Sequence, residues 1–123
     1  MLEKHGLKVV HATCVEDALA HLETMMAQGR IPGPDIVLTD VYLKGDLTGK
    51  DLLQSIRNTF GYSKGLLPAL VMTGDANLAN QTDLLRAGAN DLVQKPIEER
   101  LLVTKLLFQL RVGRQMREKL HKQ

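Results

Sequence analysis

Hydrophobic and polar positions along the chain alternate between two periods. Pro34-Asp35-Ile36-Val37-Leu38-Thr39-Asp40 opens on a turn residue and carries a run, Ile36 to Thr39, of β-branched and aliphatic side chains. Such a run bounded by turn signals predicts a strand buried on both faces, as in a parallel sheet. Leu67 to Thr73 and Ala89 to Gln94 read the same way, and Leu7 to Ala12 predicts a further short strand. Between these runs the period becomes helical. Ala18, Leu19, Leu22, Met25 and Met26 share one helical face behind a capping-box signature, Thr13-Cys14-Val15-Glu16. Leu52, Leu53 and Ile56 follow a weaker cap at Thr48-Gly49-Lys50-Asp51. Asn77 caps a helix carrying Leu78, Leu84, Leu85 and Ala87, which Gly88 terminates. A last helix, from about Ile97, carries Leu101, Leu102, Lys105, Leu106 and Leu110. Met1 to His5 reads as the end of a helix stopped at Gly6.

Strict alternation of strand and helix implies an α/β architecture, a parallel sheet covered by helices on both faces and wound right-handed. With 123 residues the default is one domain, here residues 1–110. Residues 111–123 read as a basic helical extension or linker, with Arg111, Arg114, Arg117, Lys119, His121 and Lys122 against a single acid, Glu118. A net charge of +2 is too mild to argue for nucleic acid, and the basic tail has no aromatic partners for one. Cys14, the one cysteine, cannot form an internal disulfide and fits a reducing compartment, the cytoplasm. No apolar run is long enough to span a bilayer. His5, His11, His21 and His121 lie on separate elements without metal-ligand spacing.

Three predicted strands end in polar groups: Asp40, Thr73 and Lys95. In a parallel sheet these ends share one edge, the edge beyond which ligands and chemistry collect. A carboxylate, a hydroxyl and an ammonium brought together there suit phosphoryl transfer to an acid. The carboxylate attacks, the ammonium neutralises a phosphoryl oxygen and the hydroxyl donates a hydrogen bond to another.

With these pieces in place the chain resembles a receiver domain of bacterial two-component response regulators, the CheY-like, flavodoxin-like doubly wound fold. The matching segments are Pro34–Asp40, Val71-Met72-Thr73-Gly74, and Gly88-Ala89-Asn90-Asp91 running into Lys95-Pro96. The resemblance implies that Asp40 is the phosphoacceptor of a phosphorelay, taking a phosphoryl group from a histidine kinase or phosphotransfer domain. It implies that Thr73 senses the phosphoryl group, that Lys95 pairs with it, and that the bond to Pro96 is cis. Mg²⁺ would be held by Asp40 and the backbone carbonyl of Tyr42. Such a domain is a regulatory phosphoacceptor, not an enzyme.

The chain also departs from that pattern. Family members open with a central strand ending in an acidic pair that holds Mg²⁺. Against that pattern this sequence reads as beginning inside the first helix, so that strand and both acids are expected to be missing, a truncation. Asp46 and Asp75 lie on nearby loops as substitutes. The gap leaves two expected outcomes besides truncation itself: Leu7–Ala12 pairs directly with Ile36–Thr39, or a second copy covers the slot in a homodimer. Leu92 stands where an aromatic switch residue is usual, and Lys44 where proline is common. The competing function is therefore a pseudo-receiver, a protein-binding or dimerisation module that takes no phosphoryl group. A hydrolase built on Asp40 lacks a general base.

Overall fold

The molecule, a computed structural model, is described for residues 2–121, with the side chains of Met116, Arg117, Lys119, Leu120 and His121 left aside. Its centre is β2 (Ala69–Thr73), flanked by β1 (Val37–Asp40) and β3 (Asp91–Gln94), all parallel. The register sets Asp40 beside Met72 and Thr73 beside Gln94. Every residue of β2 except Met72 is buried, because successive side chains serve opposite faces. Ala69 and Val71 pack with Leu53, Leu84 and Ala89 on one side; Leu70 packs with Val93, Leu102 and Leu106 on the other. This is the two-faced covering that apolar strand runs require, and it matches the flavodoxin-like fold expected.

The helices are α1 (Val15–Ala27), α2 (Gly49–Gln54), α3 (Leu78–Ala87) and α4 (Glu99–His121); a π-helical turn, Ser55–Thr59, continues α2. Val15 and Leu22 of α1 join Leu52, Ile56, Tyr62 and Leu67 in a third cluster. α4 lies on the opposite face, and a 3₁₀ turn (Glu3–His5) comes to it, with Leu2 and Leu7 packed beside Leu102 and Leu106. Glu99 Oε1 is approached by Lys4 Nζ at 3.1 Å and by His5 Nε2 at 3.7 Å. The hydrogen bond from Lys4 holds the Glu99 carboxyl below its ordinary value.

Several expectations need correction. Residues 7–12 form no strand, and β1 pairs with β2 alone among the described residues. Their pattern is strand-like, with Leu7 and Val9 half-buried and Lys8 and Val10 exposed. A strand, however, exists only through ladder hydrogen bonds, and nothing described pairs with this segment. Direct pairing with β1 therefore does not occur. The Thr13 capping box does not form either: Cys14 occupies the N-cap and makes no side-chain bond. Its sulfur is a weak acceptor, while the Thr13 carbonyl instead accepts from Lys44 N–H at 3.2 Å, tying the start of α1 to the loop after β1. Met26, Leu78, Leu85 and Leu101, placed on buried helical faces by their spacing, are exposed.

By contrast, the caps at Thr48 and Asn77 form. Thr48 N–H donates to Asp51 Oδ2 at 2.8 Å, Asp51 N–H returns to Thr48 Oγ1, and Asn77 Oδ1 accepts from Asn80 N–H at 3.1 Å. α4 runs unbroken past Leu110, and Gly113 is buried against Pro68. Lys122 and the side chains of Arg117, Lys119 and His121 lie outside the described residues. No helix among the described residues is long and apolar enough to cross a membrane.

At the end of the sheet where β2 and β3 begin, Arg57 of the π-helical turn acts as a pin. Its Nε and Nη2 donate to Gly88 O (3.0 and 2.7 Å), Nη1 to Tyr62 O, Ser63 O and Leu67 O (3.0, 3.0 and 2.7 Å), and Nη2 to Asn90 Oδ1 (3.0 Å). Asn90 in turn accepts from Ala69 N–H at 2.9 Å and donates to Lys64 O at 2.9 Å. Burial lowers the guanidinium pKa from its ordinary value. Gly88 has φ +127°, and a Cβ there would meet Arg57 Cγ at 2.6 Å, so this contact requires glycine.

Candidate functional site

The opposite end of the sheet gathers the polar strand ends. Asp40 closes β1, Thr73 closes β2, and Lys95 follows the last residue of β3. Parallel ladders put all three on one edge, as the chain order implied. Lys95 Nζ lies 2.6 Å from Asp40 Oδ1. The two side chains are 47% and 36% exposed, yet Oδ1 itself is buried, so the ammonium is its cover and its partner. The backbone helps: Lys95 N–H donates to Thr73 O at 2.8 Å, fixing the third strand end to the second. The Lys95–Pro96 bond is cis, as is Ile31–Pro32.

Thr73 is only 3% exposed. Its Oγ1 accepts from Asp75 N–H at 3.0 Å, which leaves the hydroxyl proton free to donate to an anion. Asp75 is fastened in turn to the first turn of α3. Its Oδ1 accepts from Asn77 N–H at 2.8 Å and its Oδ2 from Asn80 Nδ2 at 2.6 Å. Those two bonds, the backbone one foremost, hold the Asp75 carboxyl below its ordinary value.

On the other flank, the loop after β1 is shut tightly. Gly49 N–H donates to Val41 O at 2.6 Å, and Tyr42 bridges to Thr48. A Cβ on Gly49 would collide with the Asp40 carbonyl oxygen, so glycine is what lets α2 start this close to the acid. Thr39 Oγ1 donates to that same carbonyl at 2.9 Å. Beside these groups opens a cleft of about 670 Å³ lined by Tyr42, Thr48, Lys50, Thr73, Asp75 and Lys95, among others.

The donor set does not fit Mg²⁺. That ion takes six oxygens, with carboxylates at its core. Among the described residues no three His, Cys, Asp or Glu side chains come together to hold a metal. Asp40 faces Lys95, Asp75 is engaged by α3, and Asp46 is not among the cleft residues. Leu92 lies in the cluster with Leu53, Ala69 and Val71, facing α3. Asp40, Thr73 and Lys95 come to one edge, and Tyr42 lines the cleft with an 83% exposed side chain. Sequence reasoning missed Gly49 as a contact of the acid and missed the fastening of Asp75. An Asp two residues ahead of an N-cap Asn was the available signal for the latter.

Comparison with known proteins bears on the family and the fold. The family model described as "Response regulator receiver domain" matches residues 1–107. The transcriptional regulatory protein CseB of Streptomyces coelicolor is 34% identical over 110 residues, 89% of this chain and 42% of CseB. The sensory transduction protein RegX3 of Mycobacterium tuberculosis is 31% identical over 113 residues, 92% of this chain and 44% of RegX3. The chain thus spans less than half the length of the curated relatives it matches. Among solved structures, the CheY-like receiver domain protein of Methanospirillum hungatei aligns with a TM-score of 0.75 at 27% identity, covering 93% of this chain and 82% of that one. The receiver domain of NtrX from Brucella abortus gives 0.74 at 25% identity, covering 89% and 83%. The chain belongs to the response regulator receiver domain family of two-component systems.

Proposed function

We propose that Asp40 accepts a phosphoryl group from a phosphohistidine of a histidine kinase or phosphotransfer domain. A carboxylate oxygen of Asp40 attacks phosphorus, the P–N bond to histidine breaks, and an acyl phosphate forms. The Lys95 ammonium then turns from the carboxylate to a phosphoryl oxygen, and the Thr73 hydroxyl donates to another. The single observation that carries this reading is the 2.6 Å approach of Lys95 Nζ to Asp40 Oδ1 at the edge where Thr73 also ends. A phosphohistidine donor and a lone cysteine fit a cytoplasmic setting.

The test is labelling with radioactive acetyl phosphate, followed by intact mass. The wild-type chain gains one phosphoryl group, and Asp40→Asn gains none while unfolding at the same denaturant concentration. Equal labelling of both proteins, or none of the wild type, overturns the assignment.

One observation favours a second reading, the pseudo-receiver: no metal-binding cluster exists among the described residues. On that reading the same edge serves as a protein-binding surface. Mg²⁺ titration followed by amide shifts of Asp40, Val41 and Tyr42 separates the two. A chain that neither binds the ion at millimolar concentration nor labels is a pseudo-receiver.

A further inference from the structure

We infer that Gln81 is a positioning residue that couples Thr73 to β3 through Gln94, a connection made where the chain has Leu92 and no aromatic switch. The inference rests on Asp40 as phosphoacceptor for its trigger, but its wiring is independent of that trigger. Gln81 sits one turn into α3, its N–H bonded to Asn77 O at 3.0 Å. Its Nε2 donates to Asp75 O at 2.9 Å and to Gln94 Oε1 at 3.3 Å. Asp75 N–H holds Thr73 Oγ1, and Gln94 lies beside Thr73 in register and next to Lys95 in sequence. One amide group therefore touches the turn behind the hydroxyl and the strand that delivers the ammonium.

The chemistry fixes a direction. When the Thr73 hydroxyl moves toward a phosphoryl oxygen, its acceptor bond draws the Asp75 backbone along. The Asp75 carbonyl is the acceptor for Gln81, so the amide moves with it or loses that bond. Gln94 then feels the change at its own Oε1. From β3 the path continues to α4, because Lys105 Nζ donates to Leu92 O at 2.7 Å and pairs with Asp91 Oδ2 at 3.2 Å. The Leu92 side chain, aliphatic and packed among Leu53, Ala69 and Val71, has no hydrogen-bonding group of its own with which to read the hydroxyl.

The two glutamines have unequal roles: Gln81 must donate, Gln94 need only accept. Gln81→Glu keeps shape and removes both donors, whereas Gln94→Glu keeps the acceptor. The experiment records amide shifts of Leu92, Gln94 and Lys105 before and after phosphorylation by phosphoramidate, with Asp40 occupancy read by intact mass in the same sample. Gln81→Glu is expected to label to the wild-type extent and to lose at least about two-thirds of the β3 and Lys105 response, with Gln94→Glu responding as wild type. Equal responses in all three proteins, or equal losses in both variants, overturn the coupling. A second arm needs no phosphoryl group: Thr73→Val removes the acceptor for Asp75 N–H. It is expected to shift Gln94 and Lys105 in the wild-type background and not in Gln81→Glu; shifts of the same size in both overturn the coupling. Absence of labelling in the first arm counts against Asp40 as phosphoacceptor and leaves this second arm to decide the coupling.

Discussion

Lys95 and Arg57 stand at opposite ends of one three-stranded sheet, and the two cations are held in opposite ways. Lys95 meets a single carboxylate oxygen and remains nearly half exposed. Arg57 instead donates to four carbonyls and one amide oxygen from two separate loops. An exposed ion pair contributes little to stability, about 0–1 kcal/mol, because water and salt compete for both charges. Hydrogen bonds from a charged donor in a half-buried cage contribute more, about 1.5–3 kcal/mol each before they share costs. The comparison teaches where rigidity and adjustability lie: the Arg57 end holds the strands together, and the Lys95 end keeps a charge that can change partner.

Arg57→Ala breaks the comparison most severely. It strands several buried acceptors at once, so an unfolding free energy lower by about 3 kcal/mol is expected from urea denaturation. Lys95→Ala should shift it by less than about 1 kcal/mol. Equal losses would mean that the two ends do not differ as described. Gly49→Ala sharpens the picture at the exposed end. Overpacking against the Asp40 carbonyl should lower stability by about 1–3 kcal/mol and displace the acid from Lys95, reducing acetyl phosphate labelling. A variant as stable and as readily labelled as wild type would show that the close approach is dispensable.

The smallest effect concerns Asp75. Bonds from Asn77 and Asn80 lower its folded pKa beneath 3.8, so its fastening of α3 contributes in full above that unfolded value. The contribution is lost as pH falls through the depressed folded value. Carboxyl titration by NMR should place the Asp75 midpoint below 3.8, and Asn80→Leu should raise it. A midpoint unmoved by that substitution would remove Asn80 from the cause.

Asp40, Thr73 and Lys95 were legible in the sequence because strand runs, turn residues and order place them at one sheet edge without any knowledge of packing. The Thr48 and Asn77 caps were legible for the same local reason. Arg57 was not: beside Leu52, Leu53 and Ile56 it reads as a solvated helical position, and its acceptors are backbone carbonyls, which every residue has. The π-helical turn that carries it left no mark in the apolar spacing either. Leu7 to Ala12 failed in the other direction. Their alternation is visible in the burial of Leu7 and Val9, but side-chain period specifies which face turns inward and not whether a hydrogen-bonding neighbour exists.

The length of α4 has a geometric consequence. Its 23 residues make a rod of about 35 Å, seated through Leu102 and Leu106 and resting on Pro68 at Gly113. A rod magnifies angle into distance: a tilt of roughly 10° about Leu106 carries the far end, about 22 Å away, through about 4 Å, most of a helical pitch. Whatever abuts that tip would register a rearrangement too small to notice at the acid itself.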